Sequence, residues 1–204
     1  MKRRLIPAVV VGALLVAGAA TAAALLLGSE TGRDAYRGST PPAAIPLPAF
    51  AIPDSAGAVV DSGELEGKVV LITFLDSQCT EACPIVASQI ARAIDRLEAD
   101  ERAAVAPLAI STDPVEDTPA SVGAFLRKNR AEGRLRYLLA PVANLRPVWD
   151  DFQIVASYDT GVDTLHSAPV RIYNRDGIWV STLHAGADLT TENLVHDVRV
   201  ALAS

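Results

Sequence analysis

The sequence predicts an α/β fold, a sheet flanked by helices, for residues 49–204. Segments rich in β-branched and apolar residues, KVVLITFL at 68–75 and AVAPLAIS at 104–111, are typical of buried strands. An amphipathic segment, PIVASQIARAIDRLEADER, lies between them and begins at Pro84, a residue favoured in the first turn of a helix. Strands that alternate with helices in this way are typical of an α/β domain.

The remaining elements follow in order along the chain. AFAIPD at 49–54 and the segment after the turn at 55–57 predict an N-terminal β-hairpin. After the second buried strand, Asp117 or Thr118 is expected to cap a helix with Pro119 just inside it. The later elements are a strand at LRYLLAP, a short helix around Pro147, a hairpin that turns at Arg175-Asp176-Gly177, and a final helix capped by Thr190 or Thr191.

Residues 1–28 predict a membrane anchor or a signal segment. Lys2, Arg3 and Arg4 precede an uncharged run, Leu5 to Leu27, which as a helix would span about 34 Å. Basic residues before the run place the N-terminus in the cytoplasm and the rest of the chain outside it. A cleaved signal peptide is the alternative, but the bulky residues 25–27 favour an uncleaved anchor. We therefore expect a single-pass protein of the cell membrane with an extracytoplasmic domain.

Residues 29–48 are rich in Gly, Ser, Thr and Pro and predict a flexible tether between the anchor and one domain. The chain holds 18 basic and 24 acidic residues, and the first 28 residues include three bases and no acid. The exported part is therefore more acidic than the whole chain. This charge, with no basic patch interleaved with aromatic residues, excludes nucleic acid as an expected partner.

Cys79 and Cys83 are the only cysteines, and they follow the first buried strand directly. A strand, a cysteine pair and a helix in series form a thioredoxin-like arrangement. Cysteines four residues apart on a helical turn share a face and lie within disulfide range. The helix N-terminus is expected to lower their pKa values. A structural disulfide, a redox pair, inert thiols and ligands for Cu(I) or zinc all stay open from these residues alone.

The three histidines differ in their expected roles. His184 is expected in a loop, and His196 on a solvent face of the last helix. His166 lies just before the predicted strand VRIYN, which in a thioredoxin-like layout faces the cysteine loop. We therefore predict a functional role for His166, with a loop or capping role as the alternative. Met1 is the only methionine, so a copper site in the domain would use Cys, His, carboxylate or water.

Three segments together resemble the Sco/SenC family of membrane-anchored, thioredoxin-like copper-binding proteins. CTEACP, which begins at Cys79, fits the family's C-x-x-x-C-P motif after a hydrophobic strand. DPVEDTP, Asp113 to Pro119, fits its D-P-x-x-D-T-P segment, and His166-Ser167 precedes VRIYNRDG as the family's His-Ser/Thr precedes a strand. The resemblance covers residues 49–204, and the anchor and tether fit it too.

The resemblance implies that Cys79, Cys83 and His166 are copper ligands, with Asp113 and Asp117 as supporting residues. It implies copper delivery to, or thiol reduction of, the copper centre of a respiratory cytochrome c oxidase. The expected partner is therefore the oxidase's copper-containing subunit or another copper or thiol client. The expected protein is mainly a metallochaperone, and a thiol–disulfide oxidoreductase that uses the cysteine pair is the alternative.

The sequence departs from the family near the expected ligands. Thr80 follows the first cysteine where many members have proline, and Leu165 precedes His166 where Asp is usual, with Asp163 two residues further back. Asp76 lies just before the cysteine pair, a position where the family motif has no acid. A negative charge there is expected to raise the pKa of a nearby thiol.

Overall fold

The computed structural model describes residues 35–160 and 168–204, and Tyr36 to Ser204 form one compact unit. The predicted anchor, the first part of the predicted tether and His166 lie outside the described residues. Within the two described ranges, none of the helices combines the length and the apolar character needed to cross a bilayer. The predicted anchor therefore stays a prediction.

The centre of this unit is a five-stranded mixed sheet in the order β5-β4-β3-β6-β7. β3 pairs in parallel with β4, and β4 with β5, whereas β6 is antiparallel to both β3 and β7. β1 and β2 form the separate antiparallel hairpin expected at the start of the domain. The strand bounds are β1 Ala51–Pro53, β2 Val59–Asp61, β3 Val69–Leu75, β4 Val105–Ser111, β5 Arg136–Leu138, β6 Val170–Tyr173 and β7 Trp179–Leu183.

Helices flank the sheet, and the predicted α/β fold of thioredoxin-like arrangement is confirmed. Thr118 caps the helix that begins at Pro119, and Thr190 caps the last helix; each hydroxyl accepts a backbone N–H three residues on. The helix bounds are α1 Ala82–Arg96, α2 Ala99–Ala103, α3 Pro119–Lys128, α4 Val142–Asp151, α5 Ser157–Thr160 and α6 Thr191–Ala203, with a 3₁₀ turn at Ser62–Leu65.

Two apolar layers bury the sheet, one on each face. α1 and α6 pack on one face, where Leu71 of β3 lies in a cluster with Ile90 and Leu194. On the other face, Phe74 of β3 lies in a cluster with Trp149 of α4. All seven residues of β3 are buried, which is why its sequence is a continuous apolar run without alternation.

Residues 36–47, the N-terminal strap, lie along β7 in the structure, although they fall inside the predicted tether. Backbone hydrogen bonds run both ways between Ser39 and Thr182, at 2.9 and 2.8 Å. The N–H of Trp179 donates to the carbonyl of Ile45 at 2.9 Å, and that of Leu47 to the carbonyl of Gly177 at 2.8 Å. The folded unit therefore begins ahead of residue 49.

Asp197 of α6, fully buried, holds the start of the strap. Its carboxylate accepts the backbone N–H groups of Arg37 and Gly38, at 2.8 and 3.0 Å, and the hydroxyl of Ser181 at 2.6 Å. A side chain at Gly38 would clash with the Ser181 hydroxyl and a β7 carbonyl, so only glycine fits this close approach. Nδ1 of His196 also lies 3.0 Å from the Asp197 carboxylate. The ring, expected to face solvent, is therefore half-buried and contacts a buried acid.

Candidate metal centre

The cysteine loop, residues 76–81, leaves the sheet at the carboxyl end of its central strand. Leu75 at the end of β3 is in register with Ser111 at the end of β4, so the loops that follow both strands meet at one edge. Cys79 lies in this loop, and Cys83 is the second residue of α1. Both are buried, with 4% and 0% of their surface exposed, and they are not joined by a disulfide.

The two thiols are in contact. The Cys83 side chain hydrogen-bonds that of Cys79, and the backbone N–H of Asp76 also donates to the Cys83 sulfur. The same Asp76 accepts the N–H of Cys79 on its carbonyl at 3.3 Å and the N–H of Gln78 on its carboxylate at 2.7 Å. Asp76, which the family motif does not contain, is therefore the buried residue around which this loop folds.

The environment raises the pKa of the Cys83 thiol well above its ordinary value. The hydrogen bond with Cys79 is the largest cause, burial comes next, and the charge of Asp76 adds to both. The expectation that Asp76 raises a thiol pKa is confirmed. The expectation that the helix N-terminus lowers it is wrong for Cys83, because burial and these neighbours outweigh the helix dipole. This shift favours the protonated form of the Cys83 thiol.

Asp117, a buried residue, anchors the cysteine loop through hydrogen bonds. One carboxylate oxygen accepts the backbone N–H of Ser77 at 2.8 Å, and the other accepts the hydroxyl of Ser111 at 2.6 Å. The Tyr137 hydroxyl lies 2.8 Å from that second oxygen and 2.7 Å from the carbonyl of Leu75. Asp117 therefore joins the loop, the ends of β3 and β4, and β5.

The geometry of this network accommodates a proton on Asp117. Tyr137 has one hydroxyl proton but faces two acceptors, Leu75 and Asp117, at hydrogen-bonding distance. A proton on the Asp117 carboxyl lets Tyr137 donate to Leu75 while the carboxyl donates to Tyr137. Burial raises the pKa of Asp117 in the same direction.

Asp113 and Asp117 differ in what they touch. Asp113 is half-buried, and its carboxylate accepts the N–H groups of Val115 at 3.2 Å and Glu116 at 3.4 Å, which shapes its own loop. Asp117 does not cap α3, since Thr118 takes that place. Of the two acidic residues expected to support the site, Asp117 is the one whose hydrogen bonds reach the cysteine loop.

The described residues supply two sulfur ligands for a metal. In ranges 35–160 and 168–204, no group of three or more Cys, His, Asp or Glu side chains is arranged to hold a metal ion. The third expected ligand, His166, lies outside these ranges. His184 is exposed in the loop after β7, as expected, where its backbone N–H donates to the Asp188 carboxylate at 2.6 Å.

The sequence did not indicate a role for Ser77, Ser111 or Tyr137. The one local signal was the proximity of Ser77 to Cys79. Tyr137 lies 62 residues from Leu75 and 20 from Asp117, and only the parallel pairing of β4 with β5 brings it into the network.

These observations define a class: a thioredoxin-like domain with two contacting thiols in the loop between its central strand and the following helix. Residues 39–203 match the family model described as SCO1/SenC. The chain belongs to the SCO1/SenC family.

Relatives of known structure and sequence agree with this assignment. The SCO2-like protein RT0576 of Rickettsia typhi is 22% identical over 157 residues, which are 74% of this chain and 75% of that protein. Copper-bound ScoI of Bradyrhizobium japonicum is 26% identical, with a TM-score of 0.60 over 76% of this chain and 98% of that one. BsSco, a member of the Sco family of cytochrome c oxidase assembly proteins studied for its disulfide switch, is 18% identical, with a TM-score of 0.66 over 81% and 98%.

Proposed function

We propose that this protein binds copper through Cys79 and Cys83, with His166 as third ligand, and delivers it to the copper centre of a respiratory cytochrome c oxidase. One observation carries the proposal: two sulfur atoms in hydrogen-bond contact, buried at the carboxyl end of the central strand. Sulfur ligands select soft ions such as Cu(I). Homologous Sco structures with copper bound support copper as the metal.

The electrostatics of the loop suit a cation. The protonated form of Cys83 is favoured beside Asp76 and Cys79, because a thiolate there would be buried next to negative charge. A Cu(I) ion that replaces the thiol proton supplies the missing positive charge. Oxidation of the pair to a disulfide would remove both sulfur ligands, so the redox state of the cysteines would control loading.

Copper titration of reduced residues 36–204 against a chromophoric Cu(I) chelator tests this function. The fragment includes the strap, because the strap is hydrogen-bonded to β7. We expect one Cu(I) per chain and a loss of at least about 100-fold in affinity for Cys79→Ser and Cys83→Ser. If Cys79→Ser or His166→Ala binds copper as tightly as the parent, the three-ligand site is refuted.

The contact between the sulfurs also favours a second candidate, thiol–disulfide exchange with a client protein. Cys79 would attack, since it is the more exposed of the two, and Cys83 would resolve the mixed disulfide. This function needs both cysteines and not His166. Exchange activity that survives His166→Ala, together with weak copper binding, would favour exchange over delivery.

We propose the extracytoplasmic side of the cell membrane as the location. The basic residues 2–4 and the uncharged run Leu5 to Leu27 support an anchor with the domain outside. Protease treatment of intact spheroplasts tests it: the domain should be digested without lysis, and protection of the domain would refute this orientation.

A further inference from the structure

Three segments at the edge of the sheet, the cysteine loop among them, are joined by hydrogen bonds. The loop joins the segment after β4 through the hydroxyls of Ser77 and Ser121, 3.1 Å apart, and through Asp117. The segment after β4 joins the segment after α4, because the N–H of Tyr158 donates to the carbonyl of Thr112 at 3.0 Å. A hydroxyl pair, Thr112 and Ser157, closes the same junction at 3.0 Å.

Exposed apolar side chains concentrate on these segments. Among the described residues six large apolar side chains are exposed, and four of them lie here: Ile85, Val115, Val155 and Tyr158, with 48, 61, 55 and 43% of their surface accessible. Ile85 follows Cys83 by two residues, and Val115 lies in the acidic loop after β4. Exposed apolar groups on neighbouring segments next to a functional site are typical of a docking surface.

The charge of these segments has one sign. Ranges 76–91, 111–126 and 152–160 contain no Lys, Arg or His. Their acidic residues are Asp76, Glu81, Asp113, Glu116, Asp117 and Asp159. Arg146 neutralises Asp159, and Asp76 and Asp117 are buried. Within the described residues, no Lys or Arg forms an ion pair with Glu81, Asp113 or Glu116.

From this combination we propose that the cysteine rim, the exposed residues Glu81, Ile85, Val115, Glu116 and Tyr158, docks a partner protein whose contact face carries basic side chains around an apolar centre. The partner's positive charges would meet Glu81 and Glu116, and its apolar centre would cover Ile85 and Val115. A second copy of this chain would bring like charges together, and an anionic lipid surface would be repelled.

The inference rests on the proposed function in one respect: the docked protein is the copper client. The probe is the soluble copper-binding domain of the oxidase subunit from the same organism. Its binding to the full chain in a neutral detergent is measured without copper, by biolayer interferometry from 20 to 300 mM salt. Copper affinity is measured separately on every variant, so docking and copper binding have independent readouts.

The double variant Glu81→Lys/Glu116→Lys is expected to weaken docking at least about tenfold at low salt and to flatten its salt dependence. Val115→Ser is expected to weaken it roughly three- to tenfold at every salt concentration. The matched control is Glu64→Lys/Glu66→Lys, an exposed double charge reversal before β3, at the other end of this strand from the cysteines. It should leave docking unchanged.

Equal effects of rim and control variants would overturn the inference. So would self-association of the full chain that the rim variants abolish, because the rim would then bind a second copy. If docking depends on the rim but the protein binds no copper, the rim stands as a docking surface. Only the proposed copper delivery is then refuted. Copper binding with docking that is insensitive to the rim overturns the inference and leaves the proposed function standing.

Discussion

Asp117 offers the sharpest test of how the cysteine loop is held. Asp117→Ala removes the acceptor of the Ser77 N–H and of the Ser111 hydroxyl, whereas Tyr137 keeps the Leu75 carbonyl at 2.7 Å. Each donor that loses its partner costs about 1–3 kcal/mol when buried. Ser111 is fully buried and Ser77 only half-buried, so we expect a total loss of about 3 kcal/mol in the free energy of unfolding.

Asp117→Asn should cost less than Asp117→Ala, about 1–2 kcal/mol, because an amide keeps part of the hydrogen bonding of the protonated carboxyl. Its oxygen can accept from Ser77, and its NH₂ group can donate to Tyr137, whose proton then goes to Leu75. The amide nitrogen cannot accept the Ser111 hydroxyl as the carboxyl oxygen does, and this lost hydrogen bond accounts for the remaining cost. Because burial raises the pKa of Asp117 in the fold, wild-type stability from this carboxyl is complete below its ordinary pKa and is lost as pH rises through the folded pKa. The stability of Asp117→Asn relative to wild type should therefore improve as pH rises from the ordinary carboxyl range.

Urea unfolding of residues 36–204, followed by tryptophan fluorescence between pH 4 and 8, measures both effects. Trp149 is a suitable reporter, since its indole N–H donates to the carbonyl of Ser111 at 2.9 Å. Asp113→Ala is the matched control and should cost less, because its two hydrogen bonds are long and its side chain is half-exposed. Equal damage from Asn and Ala at position 117, or a difference that does not vary with pH, would refute a proton on Asp117.

Three other predictions follow from single features. Thr73→Val should stabilise the fold by about 1 kcal/mol, because within the described structure the Thr73 hydroxyl is buried in β3 without a hydrogen bond; an unchanged urea midpoint would contradict this. Gly38→Ala should cost about 2 kcal/mol in the same assay, because its Cβ would clash with the Ser181 hydroxyl, and wild-type stability would mean that the strap is not held there. Cu(I) affinity should rise with pH by up to about tenfold per unit for each thiol proton released, because the pKa of Cys83 is raised; a flat profile from pH 6 to 8 would show that copper does not displace this proton.

Local patterns predicted the elements well, and distant pairings account for what they missed. The buried runs identified β3 and β4, and the hydroxyls of Thr118 and Thr190 cap helices as expected. The strap could not be predicted, because its partners lie in β7 and α6, more than 130 residues further along the chain, and its own composition resembles a linker.

The candidate site also combines features that the sequence predicted with features that it did not. The cysteine pair and its position after the central strand were readable from the sequence, because motif and strand are adjacent in the chain. The raised pKa of Cys83 was not, since it depends on burial and on contacts with Cys79 and Asp76 that outweigh the helix dipole. The hydrogen bond between Asp117 and Tyr137 could not be predicted, because it depends on β4 and β5 being neighbours in the sheet.

The strap has a consequence for the outer edge of the sheet. β7 is an edge strand of the five-stranded sheet, and an edge strand exposes unpaired backbone groups with which another polypeptide can pair. Hydrogen bonds from Ser39, Ile45 and Leu47 occupy part of that edge. A fragment cut at residue 49 would therefore carry an open strand edge and a tendency to aggregate, even with its cysteine loop intact. The strap works as a cover against unwanted strand pairing, built from residues whose composition suggested only a spacer.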